Sequence, residues 1–212
     1  MVMKKHIMIT ILFPMAMFAS WENHQVFETS MVQALANKET LVSTVFTNQL
    51  TQFISSSTNM NDRATANLIL SISTMELFEN TLDNTMYSQS YNFATNVFSI
   101  VGLTSNSWQK LCANLLLSSC DAMDGKDISA FNITTNSLQI IAQYGYSDPT
   151  NKVLSAILNF HDTPDLTLKQ TFSLCAGLFM AKIKNTTEAR AFVNGLPFRY
   201  RNEIEDIINE DD

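Results

Sequence analysis

Apolar residues recur at helical rather than alternating spacing along almost the whole chain. Phe27, Met31, Ala34 and Leu35 form one stripe, and Val42, Phe46, Gln49, Leu50, Phe53 and Ile54 form the next. Each is the inward face of an amphipathic helix. A third helix, capped by Asn61 or Asp62, carries Leu68, Ile72, Met75 and Phe78 or Glu79 before a polar break at Asp83-Asn84-Thr85. Tyr91, Phe93, Val97, Ile100 and Val101 make a fourth, stopped by Gly102, where a left-handed residue is cheapest. Ser and Asn at 105–107 offer N-caps to a fifth, with Trp108, Leu111, Cys112, Leu115 and Leu116.

The stretch from Asp121 to Asp127 is the most turn-like in the middle of the chain and marks a boundary. Beyond it the pattern restarts. Ile128, Phe131, Leu138 and Ile141 precede a turn at Gly145 to Pro149, and Val153, Leu154, Ile157 and Leu158 precede another at His161 to Asp165. Leu168, Phe172, Cys175, Phe179 and Ile183 give the cleanest stripe, and short segments at Glu188–Val193 and Arg199–Ile208 close the chain before a fraying acidic end. The expected fold class is all-α: a five-helix bundle over residues 21–120, then a second, smaller helical bundle over residues 121–212. Only 5 Gly and 4 Pro occur in 212 residues, which argues against a turn-rich β fold and against disordered Pro-rich or Gly-rich chains.

Lys4, Lys5 and His6 precede an apolar run from Ile7 to Ala19, the layout of a secretory signal peptide over residues 1–20. That run is too short to cross about 30 Å of hydrocarbon, so an extracellular, secreted chain is expected, with no membrane partner. A formal charge of -7 makes a phosphate backbone an improbable ligand, so no nucleic acid is expected either.

Export permits disulfides. Cys112 and Cys120, eight apart on one helix, would lie about 12 Å from each other and cannot bridge. One of them can pair with Cys175, leaving a buried thiol or an intermolecular link. Asn132 and Asn185 each begin an N-x-T glycosylation triplet.

Catalytic and metal-binding patterns are sparse. His24 and His161 have no Cys or His neighbour at ligand spacing, and there is no Gly-rich phosphate loop or nucleophile motif, so neither enzyme, metal nor cofactor is expected. His161-Asp162 with Asp165 can be written as an acid/base cluster, but a solvated turn is the simpler reading. Glu76, Glu79 and Asp83 are spaced to share a helix face and read as an exposed acidic stripe. Met31, Met75, Met123 and Met180 fall on or near helical stripes as core filler.

With Trp21 just after the apolar leader, Ser73-Thr74-Met75-Glu76 in the third helix, Gly102 ending the fourth and Trp108 opening the fifth, residues 21–117 resemble the N-terminal domain of spider silk proteins, the spidroins. The resemblance implies a secreted five-helix domain that keeps a silk protein soluble and then dimerises, through a Lys and an Asp attracting across the interface and carboxylates that protonate. Arg63 falls where the family has its interface Lys, and Glu76 or Glu79 stands one step from its third-helix Glu. Thr40 and Leu41 replace its acidic residues ahead of Ser43-Thr44, with only Glu39 nearby, and Leu111 replaces its fifth-helix Glu. The family's proton-driven lock therefore lacks its residues here.

In the second half, Asp148-Pro149-Thr150-Asn151 resembles a turn of spidroin C-terminal domains, with Cys175 near their dimer-linking cysteine. Alternatively, Met180-Ala181-Lys182-Ile183 and Asn202-Glu203-Ile204 resemble the N-terminal domain's third and fifth helices again, as in a diverged duplication. The chain has no repetitive Ala or Gly blocks, so it is no fibre-former.

The expected function is a secreted, non-enzymatic helical protein acting by self-association or association with a related silk-type protein. Its candidate interface residues are Arg63, Glu76 and Glu79. The alternative is a secreted carrier holding an apolar ligand between helices, recognisable by a closed apolar cavity of about 300 Å³ or more. A venom-type or host-directed effector is a third possibility that the sequence neither supports nor excludes.

Overall fold

In a computed structural model the described residues are Trp21, 23–102 and 106–210. The leader expected over 1–20 lies outside them. Among the described residues the protein is all-α, with eleven helices: α1 (His24–Leu35), α2 (Lys38–Leu41), α3 (Thr44–Ser56), α4 (Met60–Thr81), α5 (Asn84–Val101), α6 (Trp108–Met123), α7 (Asp127–Tyr144), α8 (Lys152–Phe160), α9 (Leu168–Lys182), α10 (Thr186–Val193) and α11 (Phe198–Glu210).

Side-chain caps explain where most helices begin. Asn23, Asn37, Ser43, Asn59, Asp83, Ser107, Asn151, Thr167 and Asn185 each accept a hydrogen bond from a backbone N–H of the first turn. Thr167 and Gln170 complete a reciprocal capping box at α9. The cap of α4 is Asn59, not Asn61 or Asp62, whose N–H groups it receives. Gly102 ends α5 with φ +84°, as its position predicts. The central turn is shorter than expected: α6 runs on to Met123, because Cys120 and Asp121 are still buried.

Helix α4 is the axis. It packs along α5 and touches α1, α3 and α6, and an unbroken run of its residues from Ala64 to Met75 is buried. A helix buried on every side needs its polar groups satisfied internally. Ser71 and Ser90 exchange hydrogen bonds across the α4–α5 contact, Ser73 donates to the Leu41 carbonyl, and Thr74 donates back to Leu70.

Two apolar cores form. The larger gathers Trp21, Phe27, Leu68, Ile72, Leu111 and, from beyond residue 121, Ile141, Val153, Leu154, Leu168 and Phe172. Trp21 stands edge-on to Phe27, Phe46 and Phe53, and the Phe53 ring stacks on Phe27 at 4.6 Å. The smaller joins α9, α10 and α11 through Leu174, Ala189, Val193, Tyr200 and Ile204. Apolar packing thus runs across the 121–127 turn. Helix α7 stands between α6 and α9, packing on both.

Two sequence expectations are corrected at this level. Met31, Met75 and Met180 are core, but Met123 is exposed, because it closes α6 where the chain turns outward. The expected bridge to Cys175 is not formed: all three thiols are free. Cys112 and Cys120 are on α6 and Cys175 is on α9, with α7 packed between the two helices.

Candidate functional site

Three elements converge on a cleft of about 260 Å³, lined by Lys38, Ile72, Met75, Glu76, Glu79, Phe160, His161 and Asp162. Residues 72, 75, 76 and 79 share one face of α4 by their i, i+3, i+4 and i+7 spacing, buried at Ile72 and opening to solvent at Glu79. The four-residue helix α2 presents Lys38 and is pinned to α4 by the 2.8 Å hydrogen bond from Ser73 Oγ to the Leu41 carbonyl. The end of α8 presents Phe160 and His161. There the chain turns sharply through Asp162 at φ +55°, a conformation Asp tolerates better than most residues. Thr163 N–H and Oγ1 both bond the Leu158 carbonyl at 3.0 Å and hold that turn.

Inside the cleft, Lys38 Nζ donates to both oxygens of Glu76 at 3.1 Å and lies 5.1 Å from the centre of the Phe160 ring. Asn80 Nδ2 gives Glu76 a further bond of 3.3 Å. The Phe160 ring meets His161 edge to face at 5.4 Å. Among the described residues, Glu79 and Asp162 have no ion-pair partner. Although His161 keeps much of its surface in solvent, protein crowded around its ring lowers its pKa by desolvation. Asp162 and Glu76 oppose that shift, and Lys38 adds to it. The imidazole is therefore neutral at pH 7, and the lining holds three carboxylates against one ammonium.

This arrangement revises two readings of the sequence. Glu76 is no exposed stripe: its side chain is 12% accessible and ion-paired. Asp83 leaves the α4 face altogether, since α4 ends at Thr81 and Asp83 caps α5. His161 and Asp162 belong to the cleft, whereas Asp165 points elsewhere and pairs with Arg199 at 3.0 Å. Lys38 and Phe160 were missed. Lys38 precedes Glu76 by 38 residues, and no local spacing rule joins such positions.

Arg63 lies on the first turns of α4, about 20 Å along the helix from Glu76, so the three expected interface residues do not form one cluster. Arg63 is half-buried, and its Nε is shut off from solvent without a hydrogen-bond partner among the described residues. Beside it, buried Asp62 accepts a 2.6 Å hydrogen bond from His24 Nδ1, and His24 Nε2 is 3.6 Å from Glu28. Glu28 also accepts from Asn151, the α8 cap, at 2.9 Å. These contacts tie α1 to α4 and α8.

Burial drives the three thiols upward: Cys112 well above its ordinary value, Cys120 to about 12 and Cys175 to about 11. For Cys120, Asp121 and Asp124 add to the shift. Of the two glycosylation triplets, Asn132 is exposed on α7, but its Thr134 is buried and bonded to the Ala130 carbonyl. Asn185 is exposed as the cap of α10 and donates to Glu188.

A last surface feature lies at one end of the bundle. The contacts of Tyr87 with Cys120 and of Lys182 with Asp127 bring the α4–α5, α6–α7 and α9–α10 connections to the same end. Leu82 at 76% and Ile128 at 72% exposure lie there, with Met123 and Ile183 also exposed. Against known proteins, the chain matches no family model, no curated protein and no solved structure.

Proposed function

We propose that this is a secreted, non-enzymatic protein that works by associating with a second copy or with a related silk-type chain, in the manner of a spidroin terminal domain. Helices α1 and α3–α6 stand for the family's five-helix bundle, and α7–α11 for the second, smaller one over residues 121–212. Arg63 is the interface cation. The observation that carries this reading is the half-buried Arg63 guanidinium, whose Nε has no hydrogen-bond partner among the described residues. A cation half-withdrawn from water is under-solvated, and a carboxylate from a second chain would pair with the part of the guanidinium that solvent still reaches. The exposed Leu82, Met123, Ile128 and Ile183 offer apolar area for further contacts.

Size-exclusion chromatography with light scattering over a concentration series, at neutral and mildly acidic pH, tests the proposal. The expected outcome is a concentration-dependent dimer that Arg63→Gln weakens while leaving the helical circular dichroism intact. A monomer at every concentration and both pH values overturns it.

A further inference from the structure

We propose that the cleft between α2, α4 and α8 binds a small organic ammonium ion, a primary amine carried on a compact apolar body. The inference goes beyond self-association and uses different residues from Arg63.

The shape of the cleft sets the body of the ligand. Ile72 and Met75 close the bottom of the cleft but are almost fully buried, so the Phe160 ring is the apolar wall a ligand would meet. At about 260 Å³ the cleft lies just below the range of ordinary ligand pockets, about 300–1,000 Å³. The occupant is smaller than a drug-sized ligand and has one apolar and one polar end.

Charge sets the polar end. Glu76, Glu79 and Asp162 face a single cation, Lys38. Since Lys38 neutralises Glu76, the excess negative charge is that of Glu79 and Asp162, both exposed at the rim. An anion would meet repulsion there, and a neutral group would leave both carboxylates unused. Metal coordination is not the better fit, because no group of three or more His, Cys, Asp or Glu among the described residues could hold a metal ion.

The cleft also carries an internal example of the chemistry it would recognise. Lys38 brings an alkylammonium into the lining, where Glu76 takes it at 3.1 Å and the face of Phe160 lies 5.1 Å away. Carboxylate and aromatic face together are how proteins hold organic ammonium groups. A ligand ammonium at Glu79 and Asp162 would find the same kinds of partner, with Lys38 as its competitor for Glu76.

The test uses 2-phenylethylamine as the probe, with 2-phenylethanol and 3-phenylpropionate as neutral and anionic counterparts. Binding to the full chain is followed by calorimetry and by chemical-shift changes at 72–80 and 158–163. The amine is expected to bind saturably, with the alcohol and the carboxylate much weaker. Glu79→Gln and Asp162→Asn should each weaken the amine by about fivefold. Asn is tolerated at a positive φ, so the 162 turn is kept. Lys38→Met should tighten binding several-fold by freeing Glu76, a gain that misfolding cannot produce. The proposal is overturned if the amine does not saturate by about 10 mM. Equal binding of the alcohol or the carboxylate overturns it, as does a double Glu79→Gln/Asp162→Asn variant that binds the amine as well as the parent.

Discussion

The two apolar cores are built on different plans. The larger surrounds α4 on all sides and is sealed at one edge by the Trp21, Phe27, Phe46 and Phe53 rings. The smaller packs α10 and α11 against α9, which also packs on α7 and sends Leu168 and Phe172 into the larger core. In the larger core stability comes from aromatic and aliphatic volume. The smaller adds to its buried aliphatic side chains one close approach, where a Cβ added at Gly177 would lie 2.6 Å from Val193 Cγ1. Both cores are sensitive to removing atoms, and the smaller is also sensitive to adding them at Gly177.

The strongest way to break this contrast is Phe27→Ala, at a fully buried ring. The expected loss is about 3–5 kcal/mol, read by urea unfolding. Both tryptophans, Trp21 and Trp108, lie in the larger core, so indole fluorescence follows that core alone. Gly177→Ala should cost about 1–3 kcal/mol through overpacking. Its effect should appear as lost amide protection over 186–210 while α4 keeps its own. Equal loss of protection in α4 would mean that the two cores open together.

The thiols sharpen the contrast through pH. Free Cys ordinarily titrates near 9, whereas folded Cys120 and Cys175 keep their protons to about 12 and about 11. The unfolded chain loses those protons first, so their contribution to stability is whole below pH 9 and falls as pH climbs toward those values. Cys175, the half-buried thiol of the smaller core's helix, should react with a disulfide reagent before Cys112 and Cys120.

At the acid end the sign reverses. An unfolded imidazole takes up a proton from about pH 6.5 downward, while the folded His161 ring stays neutral further down. Its contribution is therefore complete above pH 6.5 and is lost on acidification. His161→Gln should flatten that part of the stability profile. The smallest expected effect is that of Glu205→Gln, which breaks the exposed Arg190–Glu205 pair joining α10 to α11. It should cost under about 1 kcal/mol and fade further in salt.

Much of the helical layout was legible because its signals are local. Periodic apolar stripes mark most helices, and the polar break at Asp83, the Ser107 cap and the Gly102 stop fall where the chain turns. Helix α2 was invisible: four residues carry less than two helical turns of pattern, and the helix is held by Ser73 from another part of the chain. The extension of α6 to Met123 was missed for a related reason. A polar-looking segment stays helical when Cys120 and Asp121 are buried by tertiary packing. Of the cleft, Glu76 and Glu79 were recognised as neighbours on one helix face, but their meeting with Lys38, Phe160 and His161 was not.

Periodicity, capping residues and composition suffice for an all-α chain and for most of its helix limits, since these depend on interactions within a few residues of backbone. Which faces meet is another matter: the Lys38–Glu76 ion pair, the His24–Asp62 contact, the free thiols on either side of α7 and the tight approach at Gly177 all join positions distant along the chain. Such contacts form when packing brings helices together, and their energies reside in distances that no run of neighbouring residues encodes.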